Sequence, residues 1–375
     1  MMEKLKGYGM GTRILEWIEA FLKGRTHKVV VNGQDSNKAE VKSGVPQGSV
    51  LGPILFLLYI NDLPEVVESP IYLFADDTKI YREIKNIYDQ HTLQGDLDNM
   101  MRWTEDWLLQ FHPGKCHVLD VRAKERDNEY AYKLENTPLI HVDQEKDLGV
   151  LTDKQLTFKN HISEKVNKAN TMAGIVRRSF INLNEKMFTK LYKAMVRPHL
   201  EYAQSVWSPY WMADIVRIEN VQRRATKQIP GYQDLEYTQR LKNLKLPTLV
   251  YRRLRGDMIE CYKLSNKLYD QNVNKILTLH EDVVERAGRT RGHNKKLYLN
   301  KAKKVIGSRG FTHRINDVWN NLPEKLVNAP SVNAFKSGLD RHWEKEEIVY
   351  DFRKIYNKFR VRGRPENFDF DLEGF

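Results

Sequence analysis

Residues 71–81 read Ile71-Tyr72-Leu73-Phe74-Ala75-Asp76-Asp77-Thr78-Lys79-Ile80-Tyr81, so that two short apolar runs flank a pair of aspartates. Short β-prone runs on both sides of a polar pair predict a β-hairpin with both carboxylates at its tip. Like charges this close repel each other unless a cation lies between them. The divalent metals of a nucleotidyl-transfer site supply such cations. Plain turn chemistry, which also favours aspartate, is the alternative interpretation.

A glycine- and proline-rich stretch precedes the predicted hairpin and leads into the apolar run of residues 54–60. It reads Ser43-Gly44-Val45-Pro46-Gln47-Gly48-Ser49-Val50-Leu51-Gly52-Pro53. This composition predicts a loop whose backbone can approach a ligand closely. Gln47 adds an amide that can both donate and accept hydrogen bonds. The stretch is equally consistent with a structural turn before a core helix, whose first turn Pro53 can occupy.

In this order, the loop and the Asp-Asp segment resemble the reverse transcriptases of non-LTR (LINE-like) retrotransposons, and most of all those of jockey/CR1-type elements. The two resembling segments are Gly44-Val45-Pro46-Gln47-Gly48-Ser49 and Phe74-Ala75-Asp76-Asp77. The likeness continues towards the end of the chain. The further segments are Trp103-Thr104-Glu105-Asp106-Trp107, Phe111-His112-Pro113-Gly114-Lys115-Cys116, Lys146-Asp147-Leu148-Gly149-Val150, Leu200-Glu201-Tyr202-Ala203, Val206-Trp207-Ser208-Pro209-Tyr210, Ile218-Glu219-Asn220-Val221-Gln222-Arg223-Arg224-Ala225 and Val318-Trp319-Asn320-Asn321-Leu322-Pro323.

The resemblance implies an RNA-directed DNA polymerase, which transfers nucleotides onto a primer 3′-hydroxyl. Its partners would be an RNA template, a DNA primer and deoxynucleotides, and its cofactors would be two Mg²⁺ ions. Asp76 and Asp77 would be catalytic carboxylates that bind the metal in the polymerase palm.

The resemblance also gives roles to the residues that would contact nucleotide and template. Gly44, Pro46, Gln47 and Gly48 would seat the template base and the incoming nucleotide, with Gln47 as the polar contact. Phe74 would belong to the same group and pack beneath the hairpin.

Two later segments receive roles in the same way. Lys115 falls where the family places a lysine near the leaving pyrophosphate, where an ammonium could neutralise charge or donate a proton. A solvated lysine before a strand is the alternative for Lys115. Residues 146–150 would form the hairpin that holds the primer end, with Leu148 and Gly149 as the primer grip. Gly149 would there let backbone approach backbone.

Polymerases of this type need a third carboxylate on a strand before the glycine loop, and we find no residue here that fits. The acidic residues before Gly44 are Glu3, Glu16, Glu19, Asp35 and Glu40. None lies in an apolar strand context, so we expect the first palm strand and the fingers to be missing. Loss of that metal ligand predicts weak or absent activity. Alternatives are a non-catalytic nucleic-acid-binding remnant of a mobile element, or a product without a cellular role.

Charge agrees with a nucleic-acid partner. Lysine and arginine total 61 against 49 acidic residues, a net charge of +12, and such an excess is typical of phosphate binding. General solubility is the other explanation. The basic clusters favour the first, because they spread through the later part of the chain. They are Arg177-Arg178, Arg223-Arg224 with Lys227, Arg252-Arg253 with Arg255, and Lys295-Lys296 through Lys303-Lys304.

Cysteine usage and hydropathy indicate a reducing compartment. Cys116 and Cys261 lie far apart without Cys-x-x-Cys companions, which argues against a disulfide-linked partner and against a zinc knuckle. The longest apolar run is too short to cross a bilayer, so we expect no membrane partner. We therefore predict an intracellular protein of nucleus or cytoplasm. The basic run of residues 301–304 is either a nuclear signal or a solvated face.

Hydrophobic periodicity predicts an α+β fold whose later part is mostly helical. The family resemblance implies that this fold is a partial polymerase palm, followed by a mostly α-helical thumb and a C-terminal extension. We expect the palm over residues 1–160, with an antiparallel sheet and helices. The helical thumb follows over 161–280. Residues 281–375 would be a basic linker, mobile up to about residue 310, then a small helical region and a charged tail that frays from Glu344.

Overall fold

The computed structural model describes residues 1–121, 130–180, 182–283, 292–299 and 305–358. The chain divides into two compact units, each with hydrophobic clusters of its own. The N-terminal unit comprises Met1–Val118 and Arg126–Val142, and the C-terminal unit comprises Leu119–Glu125 and Asp143–Phe375. These bounds differ from the three predicted segments 1–160, 161–280 and 281–375.

The N-terminal unit combines four helices with short strands. The helices are α1 (Met2–Gly7), α2 (Thr12–Leu22), α3 (Leu51–Ile60) and α4 (Ile87–Trp107). The strands are β1 (Thr26–His27), β2 (Val30–Val31), β3 (Gln34–Asp35), β4 (Ala39–Glu40), β5 (Ile71–Phe74), β6 (Asp77–Ile80), β7 (His117–Val118), β8 (Lys133–Leu134), β9 (Thr137–Pro138) and β10 (Ile140–His141). Among the described residues every sheet is two-stranded: β1–β4, β2–β3, β5–β6 and β8–β9 are antiparallel, and β7–β10 is parallel.

Local sequence explains where these elements end. Helix α4 begins at a capping box, in which the Asn86 side chain accepts from the Asp89 N–H and the Asp89 side chain accepts from the Asn86 N–H. The helix ends where Leu108 takes a left-handed conformation, with φ of +54°. Asn32 and Gly33 both have positive φ, the geometry of a two-residue hairpin turn between β2 and β3.

Apolar stripes of the helices form the cores of this unit. Helix α4 buries Leu97, Met100 and Trp103 in one cluster with Ile60 of α3. Leu55, on another side of α3, belongs to a second cluster formed with α1 and α2. After α4, residues 116–121 form only the short strand β7, which pairs in parallel with β10.

The C-terminal unit begins with a hairpin and is otherwise helical. The hairpin strands are β11 (Gln144–Asp147) and β12 (Val150–Asp153), which pair antiparallel. The helices are α5 (Lys159–Ser179), α6 (Glu185–Leu191), a π-helical turn (Tyr192–Val196), α7 (Pro198–Glu201), α8 (Gln204–Trp207), α9 (Met212–Thr226), α10 (Tyr237–Leu244), α11 (Leu249–Ser265), α12 (Gln271–Asn274), α13 (His280–Val283), α14 (Val305–Ser308), α15 (Phe311–Asn320), α16 (Glu324–Val327), α17 (Val332–Trp343) and α18 (Phe352–Lys358).

Helix α11 shares one hydrophobic cluster with α15, α17 and α18, which corrects two expectations. The tail was expected to fray from Glu344, but it is packed as far as residue 355, because Ile348, Phe352 and Ile355 are buried. Residues 292–299 lie within the predicted mobile linker, yet Leu297 is buried and its N–H donates to Asn320 Oδ1 at 2.8 Å. The rest of that linker, including the run 301–304, and the tail beyond residue 358 lie outside the described residues, apart from 280–283 and 305–310.

Helices together with small sheets make the chain a mixed α+β protein, as predicted. Among the helices that the structure describes, none has both the length and the apolar character needed to cross a bilayer. Both cysteines are free thiols.

Candidate functional site

The predicted Asp-Asp hairpin is present in the N-terminal unit. Strands β5 and β6 pair from Ile71 opposite Ile80 to Phe74 opposite Asp77. This register leaves Ala75 and Asp76 as a two-residue turn, and Ala75 has φ of +53°. The tip therefore carries one carboxylate in the turn and the other on the first residue of β6.

The two faces of this hairpin have different environments because side chains alternate along a strand. Ile71, Leu73 and Ile80 face the core cluster of the unit. Phe74 lies on the opposite face with Asp77, and it is 64% exposed. The prediction that Phe74 packs beneath the hairpin is therefore wrong in this structure: the register that places Asp77 at the tip also turns Phe74 away from the core.

Asp76 and Asp77 are exposed, and neither side chain has a hydrogen bond or an ion pair with any residue that the structure describes. Free carboxylate oxygens are the donors that Mg²⁺ takes, usually one or two of them together with waters and substrate phosphates. The pair therefore fits one divalent metal ion. Within the described ranges no group of three His, Cys, Asp or Glu side chains could hold a metal, so these residues do not fit a complete two-metal site.

The glycine loop has a defined conformation that its sequence explains. Gly44 and Gly48 have φ of +78° and +79°, a region that glycine enters without steric cost. The Arg25 guanidinium donates to the Gly44 carbonyl at 2.6 Å. Gln47 is exposed, and its amide has no hydrogen-bond partner among the described residues. The structure thus leaves the predicted template- and nucleotide-contacting amide available.

Gly52 holds this loop against the start of helix α3, a role that the sequence pattern did not predict. The Ser49 hydroxyl donates to the Pro46 carbonyl at 2.8 Å and accepts from the Gly52 N–H at 2.9 Å. A Cβ on Gly52 would lie 2.5 Å from the Pro46 oxygen, closer than van der Waals contact allows. The only sequence signal for this close approach is that the stretch contains a third glycine.

Lys115 lies in a short 3₁₀ turn, Pro113–Lys115, where its backbone N–H donates to the His112 carbonyl at 2.9 Å. Its side chain is exposed and forms no ion pair with Asp76 or Asp77. The role near a leaving pyrophosphate stays a prediction.

The hairpin predicted for residues 146–150 is present in the C-terminal unit, and Tyr202 supports its turn. Leu148 and Gly149 form that turn with φ of +44° and +82°. The Tyr202 hydroxyl donates to the Leu148 carbonyl at 2.8 Å. A Cβ on Gly149 would lie in ordinary contact with the Tyr202 ring, at 3.4 Å, so it is the φ of +82° that favours glycine here. The primer-grip role of Leu148 and Gly149 stays a prediction.

His161 connects this hairpin to the helical core. Its Nδ1 accepts a hydrogen bond from the Leu151 N–H at 3.1 Å, and its ring centroid lies 5.2 Å from that of Trp207. The Trp207 indole in turn donates to the Tyr202 carbonyl at 2.6 Å. Burial, aided by the charge of Lys165, lowers the pKa of His161 to about 4. The imidazole is therefore neutral at physiological pH, as an acceptor at Nδ1 must be.

Residues 218–225 of α9, which contribute to the family resemblance, divide between core and surface. Glu219 is buried and accepts from the Tyr237 hydroxyl and from the N–H of Leu249, the first residue of α11. Gln222 is also buried and accepts from the Tyr192 hydroxyl at 2.8 Å. Burial raises the pKa of Glu219. This half of the segment thus joins helices, whereas Arg224 is exposed.

Comparison with known proteins agrees with the two motifs. The family model described as "Reverse transcriptase (RNA-dependent DNA polymerase)" matches residues 2–155. Among curated proteins, the RNA-directed DNA polymerase from mobile element jockey of Drosophila funebris is 27% identical over 285 residues, 71% of this chain. The jockey polymerase of Drosophila melanogaster is 30% identical over 247 residues, 62% of this chain. The probable RNA-directed DNA polymerase from transposon X-element of the same fly is 27% identical over 244 residues, also 62% of this chain.

These matches identify residues 2–155 as a reverse-transcriptase sequence. The curated relatives are polymerases of the jockey and X-element mobile elements, so the predicted resemblance to the reverse transcriptases of LINE-like, non-LTR retrotransposons is confirmed. The matched region covers only 30% of the D. funebris jockey protein. It covers 27% of the D. melanogaster jockey protein and 26% of the X-element protein. A comparison with solved structures gave no significant match.

Proposed function

We propose that this chain is part of an RNA-directed DNA polymerase, in which Asp76 and Asp77 hold a Mg²⁺ ion at a nucleotidyl-transfer site. The observation that carries the proposal is the exposed pair of carboxylates at the β5–β6 turn, without any partner among the described residues. It lies in a segment that matches the reverse-transcriptase family, whose members generally use divalent metal ions.

In the proposed reaction a primer 3′-hydroxyl attacks the α-phosphate of a deoxynucleotide opposite an RNA template. A bound divalent ion would supply charge stabilisation for the phosphoryl oxygens. Asp76 and Asp77 would hold that ion at the hairpin tip. The Gln47 amide would contact the base or sugar, while Gly44 and Gly48 let the loop backbone come close. Lys115 would neutralise charge on the leaving pyrophosphate.

We further propose that extension by this chain alone is weak. The described residues offer two carboxylates at the hairpin and no group of three metal-binding side chains. Because two-metal transfer uses ligands that position both the attacking and the leaving oxygen, we assign no step to a second metal ion. The same observation favours a second candidate, a nucleic-acid-binding protein of mobile-element origin that carries out no chemistry.

Primer extension on an RNA template with Mg²⁺ tests the proposal. We expect low but measurable extension, lost in the Asp76→Asn/Asp77→Asn variant because the metal loses its anionic ligands. Asp106→Asn is the matched control, since Asp106 is another exposed aspartate of the N-terminal unit without a described ion pair. Extension that survives in the double variant would refute the assignment of these carboxylates. No extension by any form, with RNA still bound, would select the non-catalytic candidate.

A further inference from the structure

Helices α5 and α9 of the C-terminal unit run side by side in the same direction. The Arg217 guanidinium donates to the Ser163 hydroxyl at 2.7 Å, and Arg224 donates to the Asn170 amide oxygen at 3.4 Å. Both contacts join residues that are 54 positions apart, so the two helices stay in register over seven residues. Seven residues correspond to about 10 Å of helix, or two turns. A row of polar contacts therefore follows the outer seam between the helices.

The seam opens into a cavity at the C-terminal ends of both helices. Its volume is about 430 Å³, within the range of pockets that hold small ligands. Ala173, Gly174 and Ala225 contribute small side chains, which leaves the space open. None of the described residues that line it is acidic. The complete lining is Asn170, Ala173, Gly174, Arg177, Arg178, Val221, Arg224, Ala225 and Gln228.

Three arginines of this cavity, Arg177, Arg178 and Arg224, are exposed and have no carboxylate partner among the described residues. Other arginines of the same unit do have such partners. They are Arg252 with Glu201, Arg255 with Asp340, and Arg314 with Asp257. In the described part of the unit, three guanidinium groups without a carboxylate partner thus gather around one opening. Such a cluster is a local excess of positive charge that attracts an anion.

We propose that this cavity binds the phosphate groups of a single nucleic-acid strand. A guanidinium group can donate two parallel hydrogen bonds to the oxygens of one phosphate, and it stays charged at every physiological pH. The Asn170 and Gln228 amides can donate further hydrogen bonds to phosphate or sugar. A strand fits better than a free polyphosphate because the cationic row continues beyond the cavity to Arg217, about 10 Å along α9 from Arg224.

The proposed strand site is separate from the candidate transfer site, and it adds a location for the nucleic-acid partner of the proposed function. The carboxylates of the candidate transfer site belong to the N-terminal unit, whereas every residue of this cavity belongs to the C-terminal unit. Strand binding here needs neither a metal ion nor a nucleotide. The Asp76→Asn/Asp77→Asn variant is therefore expected to keep it, which separates failure of one proposal from failure of the other.

The test is fluorescence anisotropy of a short single-stranded RNA with the full chain, in metal-free buffer at several salt concentrations. We expect Arg177→Gln/Arg178→Gln/Arg224→Gln to weaken binding by about tenfold or more at low salt. Removal of three phosphate contacts should also reduce the slope of log K against log salt by about 2, at about 0.7 per contact for a single strand. Thermal unfolding of each variant would show that the fold persists.

Lys186→Gln/Lys190→Gln/Lys242→Gln is the matched control, because it removes three positive charges from exposed positions outside the cavity. We expect it to bind RNA nearly as the unchanged chain does. Equal losses in both triple variants would overturn the inference, since binding would then follow net charge alone. Inorganic tripolyphosphate that binds through these arginines while RNA does not would likewise overturn the assignment to a strand.

Discussion

Trp319→Ala is expected to lower the free energy of unfolding of the C-terminal unit by about 3–5 kcal/mol, the usual cost of truncating a buried aromatic side chain to alanine. Trp319 is fully buried in α15, and its ring centroid lies 6.0 Å from that of Phe335 in α17. Its indole N–H donates to the Lys295 carbonyl at 2.8 Å, a bond that alanine cannot replace. Urea denaturation followed by circular dichroism would measure the change.

Trp211→Ala is the control for this experiment, since Trp211 is 40% exposed in the same unit. We expect it to cost less than about 1 kcal/mol. The same experiment tests whether α15 and α17 form one hydrophobic core with α11. The shared core would be contradicted if residues 305–355 unfolded separately at a lower urea concentration and Trp319→Ala left α11 unaffected.

Acid is expected to destabilise the C-terminal unit through His161. The folded-state pKa of about 4 lies below the ordinary value of 6.5, so the unfolded chain binds this proton more readily. The stability contribution is therefore fully present above pH 6.5 and is lost as the pH falls towards 4. Linkage gives about 3 kcal/mol for the whole shift. A protonated Nδ1 could also no longer accept the Leu151 N–H.

The measurement compares urea midpoints of the unchanged chain and His161→Gln at pH 7 and pH 4.5. Glutamine keeps an oxygen that can accept from Leu151 but does not titrate. We expect His161→Gln to lose less stability between the two pH values than the unchanged chain loses. Identical losses in the two proteins would show that other groups cause the acid sensitivity.

Local patterns predicted two hairpins, one in each unit, because short-range chemistry determines them. The hairpin at Asp76 and Asp77 and the turn at Leu148 and Gly149 each depend on residues that are close in sequence. Glycine at positive φ is readable for the same reason. These are also the segments that carry the family resemblance.

Long-range packing could not be predicted from the sequence in the same way. Phe74 reads as a core residue, yet its pairing with Asp77 places it on the open face of the hairpin. Ile348 and Phe352 lie in a charged segment, but the apolar surface of α11 is available to bury them. Tyr202 contacts Leu148, 54 residues away in the sequence, and no local sequence pattern predicts that contact.

Binding of Mn²⁺ with a deoxynucleotide, followed by electron paramagnetic resonance of the free ion, tests most directly whether the Asp-Asp hairpin is a metal site. Mn²⁺ takes the same oxygen ligands as Mg²⁺. We expect the unchanged chain and Asp106→Asn to bind the ion alike. Asp76→Asn/Asp77→Asn should bind it about tenfold more weakly or worse, since even outer ligands typically contribute that much. Equal Mn²⁺ binding by the double variant and the unchanged chain would contradict the account.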